Sequence, residues 1–420
     1  MPPSAESVAV ARLRSPGAIR ARCREILAQA DAGELTHFRL ERERLDATVD
    51  FVLATIEAHY PDLDIPFHSR WRHFQIDGID RWASLAATLP DDSRESIART
   101  RIDLAVTSVL LDAGAGDRWR YMESGTDSRT DSRTDSQYSR SEGLALASFH
   151  MFAAGAFSSR PDHPLQADAK GLAALGRKSL EQAFQIRADN PLVGTAGRIA
   201  LLRTLGQALT ERTELFGEDE PRVGNLYDYL AARAVDKQLP ATAILAAVLA
   251  GFAPIWPGRV QLGGENLGDV WHHGGIRRDD PSNGLVPFHK LSQWLSYSLV
   301  EPLEEAGLRV TELESLTGLA EYRNGGLFVD LGVLALKQPA DARRAHDAGS
   351  ELVVEWRALT LALLDELAAL IRARLGLDAQ RLPLIKILEG GTWAAGRRAA
   401  RERRAGGGPP IAVHSDGTVF

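Results

Sequence analysis

An all-α, mostly helical fold is what the sequence predicts, and three observations carry that reading. Ala, Leu, Arg and Glu dominate long segments with apolar residues at helical spacing, as in "RESIARTRIDLAVTSVLLDAGAG" and "ELVVEWRALTLALLDELAALIRARLGLD". Convincing alternating strands are few. The regular exchange of strand and helix that marks a parallel α/β sheet is missing.

The elements follow in order. The run "LPATAILAAVLAGFAPIW" (239–256) is short for a membrane span and carries Pro240, Thr242 and Pro254, so a buried core helix is expected there. A helix starting near Phe288 has Phe288, Leu291, Leu295 and Leu299 on one side and Lys290, Trp294, Tyr297 and Glu301 on the other at 100° per residue. In "VTELESLTGLAEYRNGG" a capping-box pair, Thr311 and Glu314, opens a helix expected to stop at Asn324-Gly325-Gly326, with Glu321 in its last turn. The segment 351–375 reads as a long helix ending at Gly376, with Arg372 and Arg374 near the negative dipole end.

Two other segments differ in kind. "GTDSRTDSRTDSQYSRSEG" repeats Thr-Asp-Ser-Arg from Thr126 and has almost nothing apolar to bury, so a disordered low-complexity surface loop over 125–141 is expected. The Pro/Gly-rich stretch 252–284 holds two Trp and two adjacent His and reads as an ordered, site-forming loop. In the tail, the basic segment after Trp393 reads as a solvated face, with phosphate contact as the other possibility.

With 420 residues the chain exceeds the size at which one core usually stops growing. One large helical unit over 1–420 is expected, or two lobes of about 1–215 and 216–420. A formal charge of −7 and a pI near 5.9 lack the basic footprint of sequence-independent nucleic-acid binding, so a small-molecule partner is favoured, with neither nucleic acid nor membrane. Cys23 is the single cysteine, which rules out an internal disulfide or thiolate cluster and fits a reducing, cytoplasmic setting. The N-terminus has no apolar block of signal-peptide length, so export is not expected. The oligomeric state is left open.

The candidate chemistry lies in Lys290, Glu321 and Asp330, with Gln293, Trp294, Tyr297, Tyr322 and Arg323 beside them. A carboxylate at a helix C-terminus needs a nearby cation, which Arg323 or Lys290 supplies, and Asp330 inside an apolar run needs a partner or a function. "FHSRWRHF" adds Trp71, Arg72 and His73 as a substrate or phosphate clamp, with a structural aromatic cluster as the alternative. Glu265, Asn266 and Asp269 are polar groups able to meet ligand hydroxyls. His68 with His73, or the adjacent His272 and His273, do not make a metal set, and neither metal nor cofactor is expected. The segments 71–74, 265–273, 290–297 and 321–323 are expected to converge on one concave site.

Motifs running nearly end to end resemble the uracil-catabolism family of uracil-induced proteins of fungi and bacteria. They are "GELTHFRLERERLDATVDFV", "IPFHSRWRHFQIDGIDRW", "RSEGLALASFHMFAAGAFS", "GENLGDVWHH", "VPFHKLSQWLSYSLVEPLEEAG", "LTGLAEYRNGGLFVDLGVL" and the terminal "SDGTVF". The Thr-Asp-Ser-Arg repeat looks like an insertion into that pattern. "PFHKLSQWLSYSL" followed by "LTGLAEYRNGGLFVDLGVL" is more distantly similar to the queuosine-salvage N-glycosylases, whose all-helical fold is related to DNA glycosylases. That resemblance carries over Lys290, Gln293, Glu321, Tyr322 and Arg323. Glu321 departs from it, standing where that family has Asp, and the Pro-Gln that follows Arg there is missing.

The resemblance implies an N-glycosidase-type hydrolase of uracil breakdown, acting on a ribosylated pyrimidine derivative, a ribosylurea-like compound or a nucleotide. In that chemistry Glu321, with Asp330 in reserve, would stabilise an oxocarbenium-like transition state. Lys290 would contact a phosphate or the leaving group, and an aromatic ring would stack on a planar ligand. The alternatives are a phosphoribosyltransferase-associated protein, against which the missing strand with two acids and a Gly/Thr loop speaks, and a non-catalytic binding protein of the same pathway.

Overall fold

A computed structural model describes residues 3–89, 93–127, 132–257 and 260–414. It is mostly helical, and among the described residues the strands form only two-stranded pairs. The helices that matter for function are α1 (Pro16–Asp31), α2 (Arg94–Leu110), α3 (Arg140–Ala153), α4 (Ala241–Phe252), α5 (Lys290–Glu305), α6 (Tyr322–Asp330), α7 (Glu351–Leu375) and α8 (Ala394–Arg403).

Packing follows the apolar content of each segment. Helix α2 is buried from Thr100 to Leu110 without a break, as its run of Ile, Leu, Ala and Val requires, and α5 lies between it and α4. Helix α7 packs on α1 and α6, and it ends at Gly376 in the left-handed conformation (φ 65°), as the sequence predicts. One contiguous apolar core runs from Ile19 to Ile411. Helix α4 is the buried core helix expected within 239–256, and among the described residues no helix is long and apolar enough to cross a membrane.

Three expectations need correction. The Thr311/Glu314 pair opens no α-helix: residues 309–311 are a short strand followed by a single 3-10 turn, Leu313–Ser315, and Glu314 accepts the Leu384 N–H at 2.6 Å and an Arg372 N–H at 2.8 Å. Helix α6 starts where that helix was expected to stop, so Glu321 is a residue of the helix N-terminus. Gly325 and Gly326 lie inside α6, and a Cβ on Gly325 would meet Trp356 Nε1 and Thr360 Oγ1, each at 2.8 Å. The glycine serves close helix packing here, not a cap.

The repeat region also differs from a structureless loop. Residues Tyr121–Asp127 (β1) pair antiparallel with Ser132–Tyr138 (β2), and residue 140 already begins α3; positions 128–131 lie outside the described residues. The base of this hairpin is fixed from below. Glu123 accepts from Arg81 at 2.5 Å and pairs with His150 at 2.6 Å, while the Tyr138 hydroxyl donates to Asp77 at 2.6 Å. Tyr121 and Tyr138 at this base are buried in the apolar core, so the described ends of the hairpin are held by packing as well as by hydrogen bonds. The terminal "SDGTVF" lies outside the described residues.

Candidate active site

Asp269 fixes the start of α5. Its carboxylate accepts the Lys290 backbone N–H at 2.9 Å and the Trp271 indole at 2.7 Å, and it takes a bidentate pair of bonds from Arg357 at 2.7 and 2.8 Å. Burial alone would raise this carboxyl, but Arg357 and the N–H donors prevail and hold it below the usual range. The helix therefore begins at Lys290 after a left-handed His289 (φ 48°), which directs the lysine into the interior. Asp269, read from the sequence as a ligand contact, is spent on this positioning.

Facing Lys290 is the start of α6. Glu321 is its N-cap residue, and its two carboxylate oxygens accept the backbone N–H groups of Arg323 at 2.8 Å and Asn324 at 2.6 Å. Negative charge is thus placed where the helix dipole favours it, the reverse of the C-terminal position expected from sequence. Two of the roughly four lone-pair sites of a carboxylate remain free for a ligand.

Lys290 and Glu321 both face an open cavity of about 330 Å³. Aromatic rings wall it: Trp294 and Trp393, with His68 and His73 between them at centroid separations of 5.8 to 6.4 Å. Trp393 belongs to a π-helical turn, Ile387–Trp393, an irregularity found often at functional sites. Lys290 Nζ lies 6.0 Å from the Trp294 ring. Burial pushes the Lys290 ammonium below its ordinary value, against the pull of Glu321 and Asp112. His73 is driven well below the usual histidine value by burial and by Arg70 beside it, so its imidazole is neutral.

Three buried donors or acceptors on this wall have no hydrogen-bond partner among the described residues: His73 Nδ1, Trp294 Nε1 and Arg323 Nη1. Unpaired buried polar atoms are costly, and these three are placed to meet a polar group in the cavity.

The sequence-predicted residues divide clearly. His73, Lys290, Trp294, Glu321, Tyr322 and Arg323 meet at the cavity. Trp71 does not: it is a core residue whose indole donates to Ser298 O at 2.8 Å, beneath Arg101. Arg72 pairs with Glu301 at 2.5 Å, and Tyr297 is fully buried with its hydroxyl donating to Thr317 O at 2.9 Å. Tyr297 therefore faces the Thr317 segment and does not line the cavity. Gln293 is buried under the same segment, its Oε1 accepting the Thr317 N–H at 3.3 Å.

The 252–284 stretch contributes indirectly. Glu265 pairs with Arg14 at 2.8 Å, and Asn266 lines a narrow pocket of about 30 Å³ on the other side of Lys290; neither reaches the main cavity. His272 and His273 also lie off it, and among the described residues no group of three or more His, Cys, Asp or Glu side chains could hold a metal ion. Asp330, at the far end of α6 and roughly 13 Å from Glu321 by helix rise, is bound bidentately by Arg404 at 2.5 and 2.7 Å. Sequence reasoning missed Asp112, Arg140 and Trp393. The last stands in "EGGTWAAG", where paired glycines before a tryptophan were the available signal.

Comparison with known proteins agrees with the motif pattern. The chain is 38% identical to "Protein urg3" of Schizosaccharomyces pombe (strain 972 / ATCC 24843) over 418 residues, 98% of this chain and 99% of that protein. It is 39% identical to "Uracil catabolism protein 4" of Lachancea kluyveri over 419 residues, 92% of this chain and 93% of that one. Matched over residues 12–420, the chain belongs to the family described as "Protein of unknown function (DUF1688)".

Proposed function

We propose that this protein is an N-glycosidase-type hydrolase of uracil catabolism, acting in the cytoplasm on the N-glycosidic bond of a ribosylated pyrimidine breakdown product. The observation that carries this reading is the shared placement of Glu321 and Lys290 on one cavity walled by Trp294 and Trp393. The name of the Lachancea kluyveri relative supports the pathway. The helical fold and the Lys-x-x-Gln and Glu-Tyr-Arg elements are consistent with a queuosine-salvage-like glycosylase architecture.

The chemistry follows from the charges. As the C–N bond lengthens, positive charge develops at the anomeric carbon, and the Glu321 carboxylate stabilises it and orients water. The Lys290 ammonium gives its proton to the departing nitrogen. The attacking water loses a proton to Glu321, so that one water is added across the bond and the lysine is recharged as that proton returns. The aromatic walls hold the planar leaving group.

The test is direct. Purified protein is incubated with uridine, uridine monophosphate, ribosylurea and its 5′-phosphate, and release of ribose or ribose phosphate is measured. Release from one of these compounds, abolished by Glu321→Gln, supports the reading, and no release from any of them sinks it.

A further inference from the structure

Beyond the main cavity lies a second chamber of about 200 Å³ that shares Arg140, Tyr322, Arg323 and Trp393 with it. Its walls carry five arginines, Arg120, Arg140, Arg323, Arg397 and Arg401, against three carboxylates, in a chain whose net charge is −7. Two of those carboxylates are already neutralised: Glu142 pairs with Arg397 at 2.6 Å and Asp330 with Arg404 at 2.5 Å. Asp117 alone is left to balance the remaining four arginines.

Those four hold no carboxylate among the described residues. Arg120 donates to the carbonyls of Asp117 and Trp119 at 2.7 and 2.8 Å, and Arg140 to those of Gly406 and Gly407 at 3.1 and 3.3 Å. Arg401 is exposed and makes no hydrogen bond or ion pair among the described residues. Arg323 is 8% exposed, stacks on Trp393 at 4.5 Å, and has its buried Nη1 without a partner. A buried guanidinium N–H left open in an arginine-lined chamber calls for an anionic acceptor.

The backbone points the same way. Helix α3, 14 residues long, begins at this chamber with Ser139 as N-cap and no side-chain cap hydrogen bond. Its first residue, Arg140, has a left-handed φ of 54°, a strained conformation that persists where the surroundings impose it. An uncapped helix N-terminus flanked by arginines is an anion site by both dipole and open N–H groups. Arg323 joins the two chambers, because its backbone N–H caps the Glu321 carboxylate while its guanidinium faces the arginine cluster.

We propose that the second chamber binds the phosphomonoester of the substrate, so that the compound cleaved is a ribose 5-phosphate glycoside rather than a free nucleoside. This rests on the glycosidase reading for the word substrate, but the anion site stands on its own geometry.

The experiment separates the two. Full-length protein is titrated calorimetrically with ribose 5-phosphate, ribose and inorganic phosphate. Ribose 5-phosphate is expected to bind at least tenfold tighter than either of the others. Arg323→Gln and Arg140→Gln are expected to remove that advantage. Arg401→Ala, an exposed change that leaves the core intact, is expected to weaken ribose 5-phosphate several-fold while leaving ribose unaffected. Equal binding of ribose and ribose 5-phosphate, binding of inorganic phosphate as tight as ribose 5-phosphate, or indifference to all three substitutions overturns the proposal. Tight ribose 5-phosphate binding with no cleavage of any glycoside refutes the glycosidase reading and keeps the phosphate site. Equal cleavage of nucleoside and nucleotide does the opposite.

Discussion

The Glu321 carboxylate accepts the Asn324 backbone N–H at 2.6 Å while facing the cavity that Lys290 enters, so one side chain both caps a helix and lines the cavity. The two roles separate by substitution. Glu321→Gln can still accept an N–H but loses the charge. It is expected to cost about 1 kcal/mol of stability and to lower turnover on the order of a hundredfold or more, with ligand binding retained. Glu321→Asp keeps both an N-cap and the charge, and should fold as well as the parent with a smaller kinetic defect. Chemical denaturation and single-turnover kinetics on both variants check this. Full turnover in both variants would show that Glu321 acts only as a cap.

Lys290 gives a pH-dependent prediction. Its ammonium is held below the ordinary 10.5 by burial, and a cation in this role is lost as pH rises through its own pKa. The alkaline limb of the pH–rate profile should therefore fall below pH 10.5, and Lys290→Met should remove that limb along with most of the activity. His73, pushed well below 6.5, is neutral across the neutral range and should add no limb near that value. A limb near pH 6.5 that vanishes in His73→Gln would contradict the assignment.

Asp330 is the competing carboxylate; it is paired with Arg404 and does not line the cavity that Glu321 faces. Asp330→Asn leaves a partly buried guanidinium without its partner, expected to cost about 2 kcal/mol, visible as a lower Tm. Its effect on turnover should be far smaller than that of Glu321→Gln. A reversed order, with Asp330→Asn silencing the protein and Glu321→Gln leaving it active, would move the carboxylate role to Asp330.

Local rules read the fold well where local chemistry decided it. Helix 351–375 and the buried helix within 239–256 appear because periodicity and a terminal glycine are properties of the segment itself. The helix expected to end at Asn324-Gly325 failed because Gly325 answers to Trp356, 31 residues away in sequence and in contact in space. The site divides on the same line. Lys290, Trp294 and Glu321 stand out as polar or aromatic groups in apolar runs. Trp71 and Tyr297 carry the same signature yet serve the core, since an indole or phenol with a backbone acceptor is as useful in packing as in recognition. Trp393, Asp112 and Arg140 come from three distant segments, and only tertiary packing brings them to one wall.

The repeat hairpin supplies the last prediction. Among the described residues its base is held by Glu123 to Arg81 and His150, by Met122 to Gln185 and by Tyr138 to Asp77. The Thr-Asp-Ser-Arg units beyond them are polar in sequence and offer the core no apolar side chain to bury. Deleting residues 126–137 and closing the chain from Gly125 to Tyr138 should therefore shift Tm by only a few degrees and leave activity intact. Glu123→Gln should do more, because it strips the carboxylate that Arg81 and His150 share. Although burial opposes it, Arg81 and His150 hold that carboxyl down at about 2, from an ordinary 4.5. The stability it contributes is thus fully present above pH 4.5 and is lost as pH falls toward 2. Thermal melts of the parent, the deletion and Glu123→Gln between pH 7 and pH 3 test both statements. A deletion that unfolds the protein at pH 7, or a Glu123→Gln variant that matches the parent there, would place the anchoring in the repeat itself.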